Sequence, residues 1–300
     1  MRFPPFNPKL AVAIGVIAVS FTAVLVKLAD GVPASIIANY RLLFAAIILL
    51  PFILIAKRNE WKRLNLASWL LLATSSILLA LHLTLFYESL HHTTVASSAV
   101  LVALQPIAIL LMGGILSREK FSAGAGISMI IAFIGILIIL VGDYRLGGSD
   151  FYGDCLALGS MLSLAFYFMI GQKVRMYLSL TSYTFYVYAG GAVVLAAANM
   201  ATGTAFTGYQ GADWLSMITL ALLPTFLGYT LFNWALKWLQ ASSVQTSLIF
   251  EPAGSVILAF IILHERVPGT QLLGGAIILF GLFLFIMSTA RKPKVTISKK

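Results

Sequence analysis

The chain has 300 residues, of which 60% are hydrophobic and only 10% charged, and its formal net charge is +10. This composition excludes an ordinary soluble domain, in which about a quarter of the residues are charged. It does not indicate nucleic-acid binding either, because the basic residues lie in short segments between long apolar runs.

Ten apolar runs, each long enough to span a bilayer, follow one another along the chain. The first lacks the small-residue cleavage site of a signal peptide, so we expect it to be retained. The seventh begins with several tyrosines and threonines, a pattern that also suits an interfacial segment. The sequence predicts an all-α polytopic membrane protein embedded in a lipid bilayer, with spans at approximately 10–29, 33–56, 66–89, 93–116, 122–142, 152–172, 181–200, 214–237, 241–263 and 270–290.

The loops between these runs differ strongly in positive charge. Of the 20 Lys and Arg residues, sixteen fall on the side that includes both termini and three on the other, and Arg41 lies within a span. Cytoplasmic loops carry the excess of Lys and Arg, so we expect both termini in the cytoplasm and an even number of spans.

Two halves of the chain resemble each other at an offset of 146 residues. Pro106 then aligns with Pro252, Glu119 with Glu265, Lys120 with Arg266 and Gly135 with Gly281. The charged pair at a fixed distance after a shared proline carries more weight than matches between apolar residues. Glu265 falls just beyond a span end, where we expect it to pair with the adjacent Arg266. Repeats of five spans must insert with opposite orientation, which is the plan of many secondary transporters. We therefore predict a first five-helix repeat at 1–145 and a second, with a basic tail, at 146–300.

Glu251 is the most informative residue within a span. It lies about 15 Å along the ninth run, near the middle of a bilayer core that is about 30 Å thick. Ionisable side chains at this depth face the interior of the helix bundle or a wet cavity. On the same helical face lie Ser247, Gly254 and Ser255, and Gln105 occupies the matching place in the first repeat. We predict a polar site between the two halves, in which Glu251 binds substrate or carries a coupling proton.

Arg41 lies at a depth close to that of Glu251. Two roles remain open for it at this point: a structural ion pair with Glu251, and a contact to the carboxylate of a substrate.

Further polar and aromatic side chains on the inner faces of the spans complete the candidate site. A histidine such as His82 commonly satisfies a hydrogen bond between helices, although it can also take part in proton transfer. Tyrosines in a cavity suit flat or cationic ligands, although packing is their commoner role in membrane helices. The predicted substrate-binding residues are Arg41, His82, Gln105, Tyr167, Tyr229, Asn233 and Glu251.

No motif for catalysis or cofactor binding is apparent. The sequence has no phosphate-binding loop, no zinc-protease motif and no nucleophile elbow, and it has a single cysteine, Cys155, and four scattered histidines. We expect no enzyme activity, no metal and no cofactor. Without an ATP site, active transport would depend on an ion or substrate gradient.

The repeated junctions resemble the drug/metabolite transporter superfamily, in particular its EamA-type branch. The resemblance rests on Ala96-Ser97-Ser98 through Gln105-Pro106 to Glu119-Lys120, and on the repeat of this pattern at Ala241-Ser242-Ser243, Glu251-Pro252 and Glu265-Arg266. Arg41, followed by Leu-Leu-Phe-Ala-Ala, is similar to an arginine in the second span of the family. The matching position in the second half has Val187 or Tyr188, so the arginine is not duplicated.

The resemblance implies a multi-pass carrier of the plasma (inner) membrane that works by alternating access. It favours export of a small amino acid or a similar metabolite, with protons as a candidate coupling ion. Two alternatives stay open: a carrier of cationic, quaternary-ammonium or drug-like compounds, and a membrane scaffold that transports nothing. The sequence does not fix the substrate, the direction of transport or the oligomeric state.

Overall fold

The computed structural model describes residues 7–56, 60, 64–117, 123–146, 149–235, 247–248 and 250–290, and within this part of the chain the regular structure is helical. A π-helical segment, Ala221–Gly228, joins α9 to α10. The helices are α1 (Pro8–Leu28), α2 (Ala34–Ala56), α3 (Leu66–His92), α4 (Val95–Val102), α5 (Gln105–Ser117), α6 (Ala123–Leu146), α7 (Ser149–Val174), α8 (Leu180–Ala201), α9 (Gly211–Leu220), α10 (Tyr229–Ala235), α11 (Phe250–Ile262) and α12 (Gly269–Ala290).

The helices match the predicted spans closely. Within the described ranges, eight helical segments are long and apolar enough to cross a membrane, and two shorter apolar segments lie at Val95–Ile109 and Phe250–Ile262. The short segments belong to the fourth and ninth predicted spans, the two that contain the matched prolines. The tyrosine-rich seventh run, for which an interfacial position was also considered, forms the 22-residue helix α8.

Side-chain caps mark where several helices begin. The Asn65 side chain accepts a hydrogen bond from the backbone N–H of Ser68 at the start of α3, and Thr94 and Ser179 cap α4 and α8 in the same way. Such caps satisfy N–H groups that have no partner within the helix. At α3–α4 the connection is only Thr93 and Thr94, so these two helices follow each other closely.

The helix contacts are the same when the two repeats are exchanged: a contact between two helices recurs between their equivalents in the other repeat. α3 packs on α7, and correspondingly the π segment and α10 pack on α1; α2 packs on α8, α6 on α12 and α4 on α11. The equivalent helices α6 and α12 run antiparallel. Gly124 near the start of α6 approaches Ser288 near the end of α12, and Gly142 near the end of α6 approaches Thr270 near the start of α12. The fold is therefore a polytopic bundle of two inverted five-helix repeats. The division at residues 145 and 146 stays a prediction.

Glycines bring α6 and α12 into backbone contact. A Cβ added to Gly135 would lie 2.7 Å from the carbonyl oxygen of Gly274, and one added to Gly281 would lie 2.9 Å from the backbone nitrogen of Ala132. Small residues at a membrane helix interface allow this close approach. This close contact between the fifth and tenth spans is called the α6–α12 seam below.

The eighth span departs from regular α-helical geometry over Ala221–Gly228. Pro224 lies inside this segment and has no backbone N–H to donate. The Thr225 hydroxyl instead donates to the Leu220 carbonyl at 2.9 Å. π-Helical segments often occur at functional sites, and this one faces α1 and α2.

Candidate functional site

Arg41 lies in the interior of the bundle, where its guanidinium joins three spans. Its Nε donates to Thr225 Oγ1 at 2.9 Å, and its Nη1 donates to the Tyr87 hydroxyl at 2.5 Å. Arg41 and Thr225 are each 6% exposed, and Tyr87 is completely buried. Both hydroxyl partners are neutral, so neither cancels the positive charge. The two hydroxyl groups fix the orientation of the guanidinium.

Glu251 lies in the first turn of α11 and is only partly buried. None of the hydrogen bonds among the described residues involves its carboxylate, and its charge interacts with that of Arg41. The first turn of a helix favours a carboxylate, because backbone N–H groups give that end a partial positive charge. Arg41, Tyr87, Thr225 and Glu251 are called the central cluster below.

The central cluster bears on the two roles that the sequence left open for Arg41, and both stay predictions. The described hydrogen bonds of Arg41 go to Tyr87 and Thr225 and not to Glu251. Arg41 and Glu251 are close enough for their charges to interact. Among the described contacts, a direct ion pair between them is not present.

His82 is held at the interface of α3 and α7. Its Nδ1 lies 2.7 Å from the Ser160 hydroxyl, and that hydroxyl is also 3.0 Å from the His82 carbonyl oxygen. His82 is 8% exposed and stacks on Phe86. These contacts give His82 a structural role between helices, and the charge of Arg41 still reaches it.

Gln105 begins α5 where the fourth span breaks. α4 ends at Val102, and Ala103 and Leu104 form a turn before Gln105 and Pro106 start the next helix. Gln105 and Glu251 therefore both occupy the first turn of a half-length helix that carries proline at the next position. α4 also packs on α11. This arrangement resembles discontinuous transporter helices, whose N-terminal ends point at the binding site.

Of the two predicted tyrosines, Tyr167 has a described side chain. Tyr167 lies between α7 and α8, with its ring 6.0 Å from that of Tyr183, and it is partly buried. Tyr229 and Asn233 belong to α10, and their side chains lie outside the part of the chain that the structure describes. Their predicted roles therefore stay predictions.

Two interpretations from the sequence need correction. Gly254 and Ser255 line packing against α1 and not a cavity: Ser255 donates to the Ser20 carbonyl at 3.0 Å, and a Cβ on Gly254 would clash with the Ser20 side chain. Glu265 was expected to pair with the adjacent Arg266, but its carboxylate pairs with Lys27 of α1 at 2.9 Å. Sequence neighbours are not always spatial neighbours at a helix end.

Tyr87 was not predicted as a site residue. The available signal was that Tyr87 lies within an apolar span, five residues after His82. The hydroxyl of a buried tyrosine needs a hydrogen-bond partner. Thr225 had been placed on a polar face of the eighth span, but its contact with Arg41 depends on the π-helical turn, which hydropathy does not reveal.

Comparison with known proteins finds a transporter family whose model matches this chain. The model of the EamA-like transporter family matches residues 9–141 and again residues 151–287. An uncharacterized transporter of Archaeoglobus fulgidus is 26% identical over 254 residues, covering 83% of this chain and 87% of the relative. A probable terminal-alkyne amino-acid exporter of Streptantibioticus cattleyicolor is 23% identical over 195 residues, or 64% of each chain.

A solved crystal structure has a similar fold. It superposes with a TM-score of 0.63, covers 95% of this chain and 99% of its own, and is 14% identical in sequence. At this identity the similarity concerns the fold alone.

Proposed function

Since the chain belongs to the EamA-like transporter family, we propose that it is a secondary transporter that exports a small amino acid or a similar metabolite. The family and the named relatives support a membrane transporter of small molecules. The observation that carries the finer proposal is the central cluster, in which a positive and a negative side chain face the same interior region.

Arg41 would bind the carboxylate of the substrate. Tyr87 and Thr225 hold its guanidinium in a fixed orientation. Guanidinium groups match carboxylates through paired hydrogen bonds, and these bonds are stronger in a desolvated site. An oriented arginine also loses little side-chain entropy when the substrate binds, because that cost has been met in folding.

Glu251 would serve as the counter-charge for a substrate amine or as the carrier of a proton. A carboxylate with accessible surface near the middle of the membrane can exchange protons when its side of the bundle is open to water. The substrate amine and a proton would then compete for the same carboxylate. Competition of this kind couples outward movement of substrate to inward movement of protons.

Alternating access would arise from movement of the other helices against the α6–α12 seam. Backbone contacts at Gly135, Gly274 and Gly281 oppose sliding within the seam. The turn at Ala103 and Leu104 and the π segment Ala221–Gly228 lack a continuous α-helical hydrogen-bond ladder. We expect these two places to bend when the site opens to either face of the membrane.

The orientation and the membrane are part of the proposal. The excess of basic residues on the side of both termini supports cytoplasmic termini in the plasma (inner) membrane. A relative whose name is that of a probable amino-acid exporter supports export and the substrate class.

The test uses purified protein in proteoliposomes. Candidate amino acids are first screened for an increase in the thermal unfolding midpoint, since a ligand that binds the native state stabilises it. Transport of the compounds that bind is then measured for wild type and Glu251→Gln, once with a proton gradient and once as exchange without a gradient. We expect Glu251→Gln to lose gradient-driven transport while retaining exchange; unchanged coupling would contradict the assignment of the proton to Glu251.

Substrate charge separates this proposal from a carrier of cationic compounds. A cation would contact Glu251 and nearby aromatic rings and would be repelled by Arg41. Transport of quaternary amines that survives Arg41→Ala, together with no binding of amino acids, would favour the cationic carrier.

A further inference from the structure

Two aspartates lie buried where α6, α7, α4 and α12 meet, apart from the central cluster. Asp143 is in the last turn of α6, Asp154 is in the second turn of α7, and both are 0% exposed. The residue before each aspartate is a glycine. A Cβ on Gly142 would lie 2.8 Å from Thr270, and a Cβ on Gly153 would lie 2.9 Å from Thr93, so both glycines permit the close packing around the pair.

One oxygen of each carboxyl group has donors from neighbouring helices. Gln271 Nε2 of α12 donates to Asp143 Oδ2 at 2.8 Å. Asp154 Oδ1 accepts from the Ser97 hydroxyl of α4 and, at 3.4 Å, from the Thr93 hydroxyl. The Gln271 side chain is itself fixed, because its Oε1 accepts from the Thr94 hydroxyl at 2.5 Å.

The second oxygen of each carboxyl group has no donor. Asp143 Oδ1 and Asp154 Oδ2 are buried without a hydrogen-bond partner, and the two carboxyl groups are close enough to interact with each other. Ionised carboxylates only accept hydrogen bonds, so two of them cannot bond to each other. A single proton between them converts both unpartnered oxygens into one hydrogen bond and removes one of two buried like charges.

We propose that Asp143 and Asp154 share one proton at neutral pH and form a proton-binding site separate from Glu251. The charged and titratable groups around it support this occupancy. Asp150 of α7 adds negative charge beside Asp143, and Cys155 is next to Asp154. Lys27 is joined to the same network, since it donates to the Thr93 carbonyl at 3.1 Å, but its charge is paired with Glu265.

A metal ion fits this place less well than a proton. Hard cations need several oxygen ligands, and the donors from Gln271, Ser97 and Thr93 already occupy the outer oxygens of the pair. Among the described residues, there is no group of three or more metal-binding side chains. A shared proton needs two buried oxygens without donors on carboxyl groups that are close to each other, and Asp143 and Asp154 supply them.

The shared proton would join the α6–α12 seam to the helices that pack against it. Asp143 and Gln271 belong to the seam, whereas Asp154 and Ser97 belong to α7 and α4. Loss of the proton would leave two negative charges in contact and would push α6 and α7 apart. The junction is therefore stable below the pH at which the pair loses its proton and weakens above it.

Infrared spectroscopy of the purified protein tests the proposal without any transport assay. The spectra are recorded in the Glu251→Gln background, so that Glu251 contributes no protonated carboxyl band. We expect a band from one protonated carboxylic acid at pH 7 that vanishes at high pH. The band should be lost in Asp143→Asn and in Asp154→Asn, because an Asn side chain replaces the shared proton with its own N–H donor, and it should remain in Asp150→Asn.

The same samples give the outcomes that would overturn the proposal. Absence of the band in the Glu251→Gln protein at pH 7 would show that both carboxylates are ionised, whatever the other variants do. A band that persists in both Asn variants would place the proton elsewhere. Loss of the band on addition of Na⁺ in place of K⁺ would identify a cation site. Because the readout is protonation, failure of the transport proposal would leave this result unaffected.

Discussion

The α6–α12 seam and the central cluster lie in the same bundle but differ in whether their residues are the same in both repeats. The seam is built from duplicated residues: Gly135 and Gly281 are equivalent in the two halves, and each touches the backbone of the other helix. The central cluster is built from residues that differ between the halves. Arg41 corresponds to Val187 or Tyr188, and Glu251 corresponds to Gln105.

This difference shows how one repeat can provide both scaffold and chemistry. Contacts that both halves need, such as close helix packing, keep the same residues at both positions. A substrate has no two-fold symmetry, so the residues that bind it need not be equal. The two-fold arrangement of helices then brings unlike side chains, one from each half, to a common place.

The largest expected effect comes from removing Arg41, a charge that the second repeat lacks. Arg41→Ala should weaken binding of a carboxylate substrate by at least about 2 kcal/mol, or roughly thirtyfold, because it removes a buried charged partner. Val187→Ala, at the equivalent position in the second half, should change the affinity little. The affinities are measured by titration of the amino acid that stabilises the wild-type protein. Equal losses in the two variants would show that the halves contribute alike.

A smaller effect is expected from separating the seam. Gly135→Ala places a Cβ 2.7 Å from the Gly274 carbonyl oxygen and should destabilise the protein by about 1–3 kcal/mol, since the backbones must move apart. Gly126→Ala is the matched control on the same helix, because nothing lies within 4 Å of its added Cβ. Thermal unfolding in detergent measures both. Equal unfolding midpoints would argue against a tightly packed seam.

The smallest effect concerns the orientation of Arg41. Thr225→Val removes the hydroxyl that accepts from Arg41 Nε and should reduce substrate affinity by about 1–1.5 kcal/mol, or roughly tenfold. Thr225→Ser retains the hydroxyl and should remain close to wild type. If both variants behave alike, Thr225 contributes packing only and does not orient the arginine.

The positions of most spans could be predicted because hydropathy depends on local composition. Apolar runs of about 20 residues must pair their backbone groups internally, and a helix does this without help from distant residues. The breaks in two spans were partly signalled by Pro106 and Pro252. The π segment was not signalled, because its hydrogen bonds depend on packing against α1 and α2.

Within the central cluster, only the charged residues could be predicted from the sequence. Arg41 and Glu251 were apparent because an ionisable residue inside an apolar run needs a partner or water. Tyr87 was not apparent, since nothing in its immediate sequence shows that it meets an arginine from another helix. Lys27 and Glu265 are far apart in the sequence and come together only because α1 and α11 pack side by side.

The amino-acid sequence by itself determined the helical class, the approximate placement of the spans, the repeat and the two ionisable residues, Arg41 and Glu251, that lie within spans. These features follow from local hydropathy and from the cost of placing charge in lipid. The tertiary structure decided which side chains meet: Arg41 with Tyr87 and Thr225, Lys27 with Glu265, and Asp143 with Asp154. Such contacts join residues distant in the chain, and their geometry is set by helix packing.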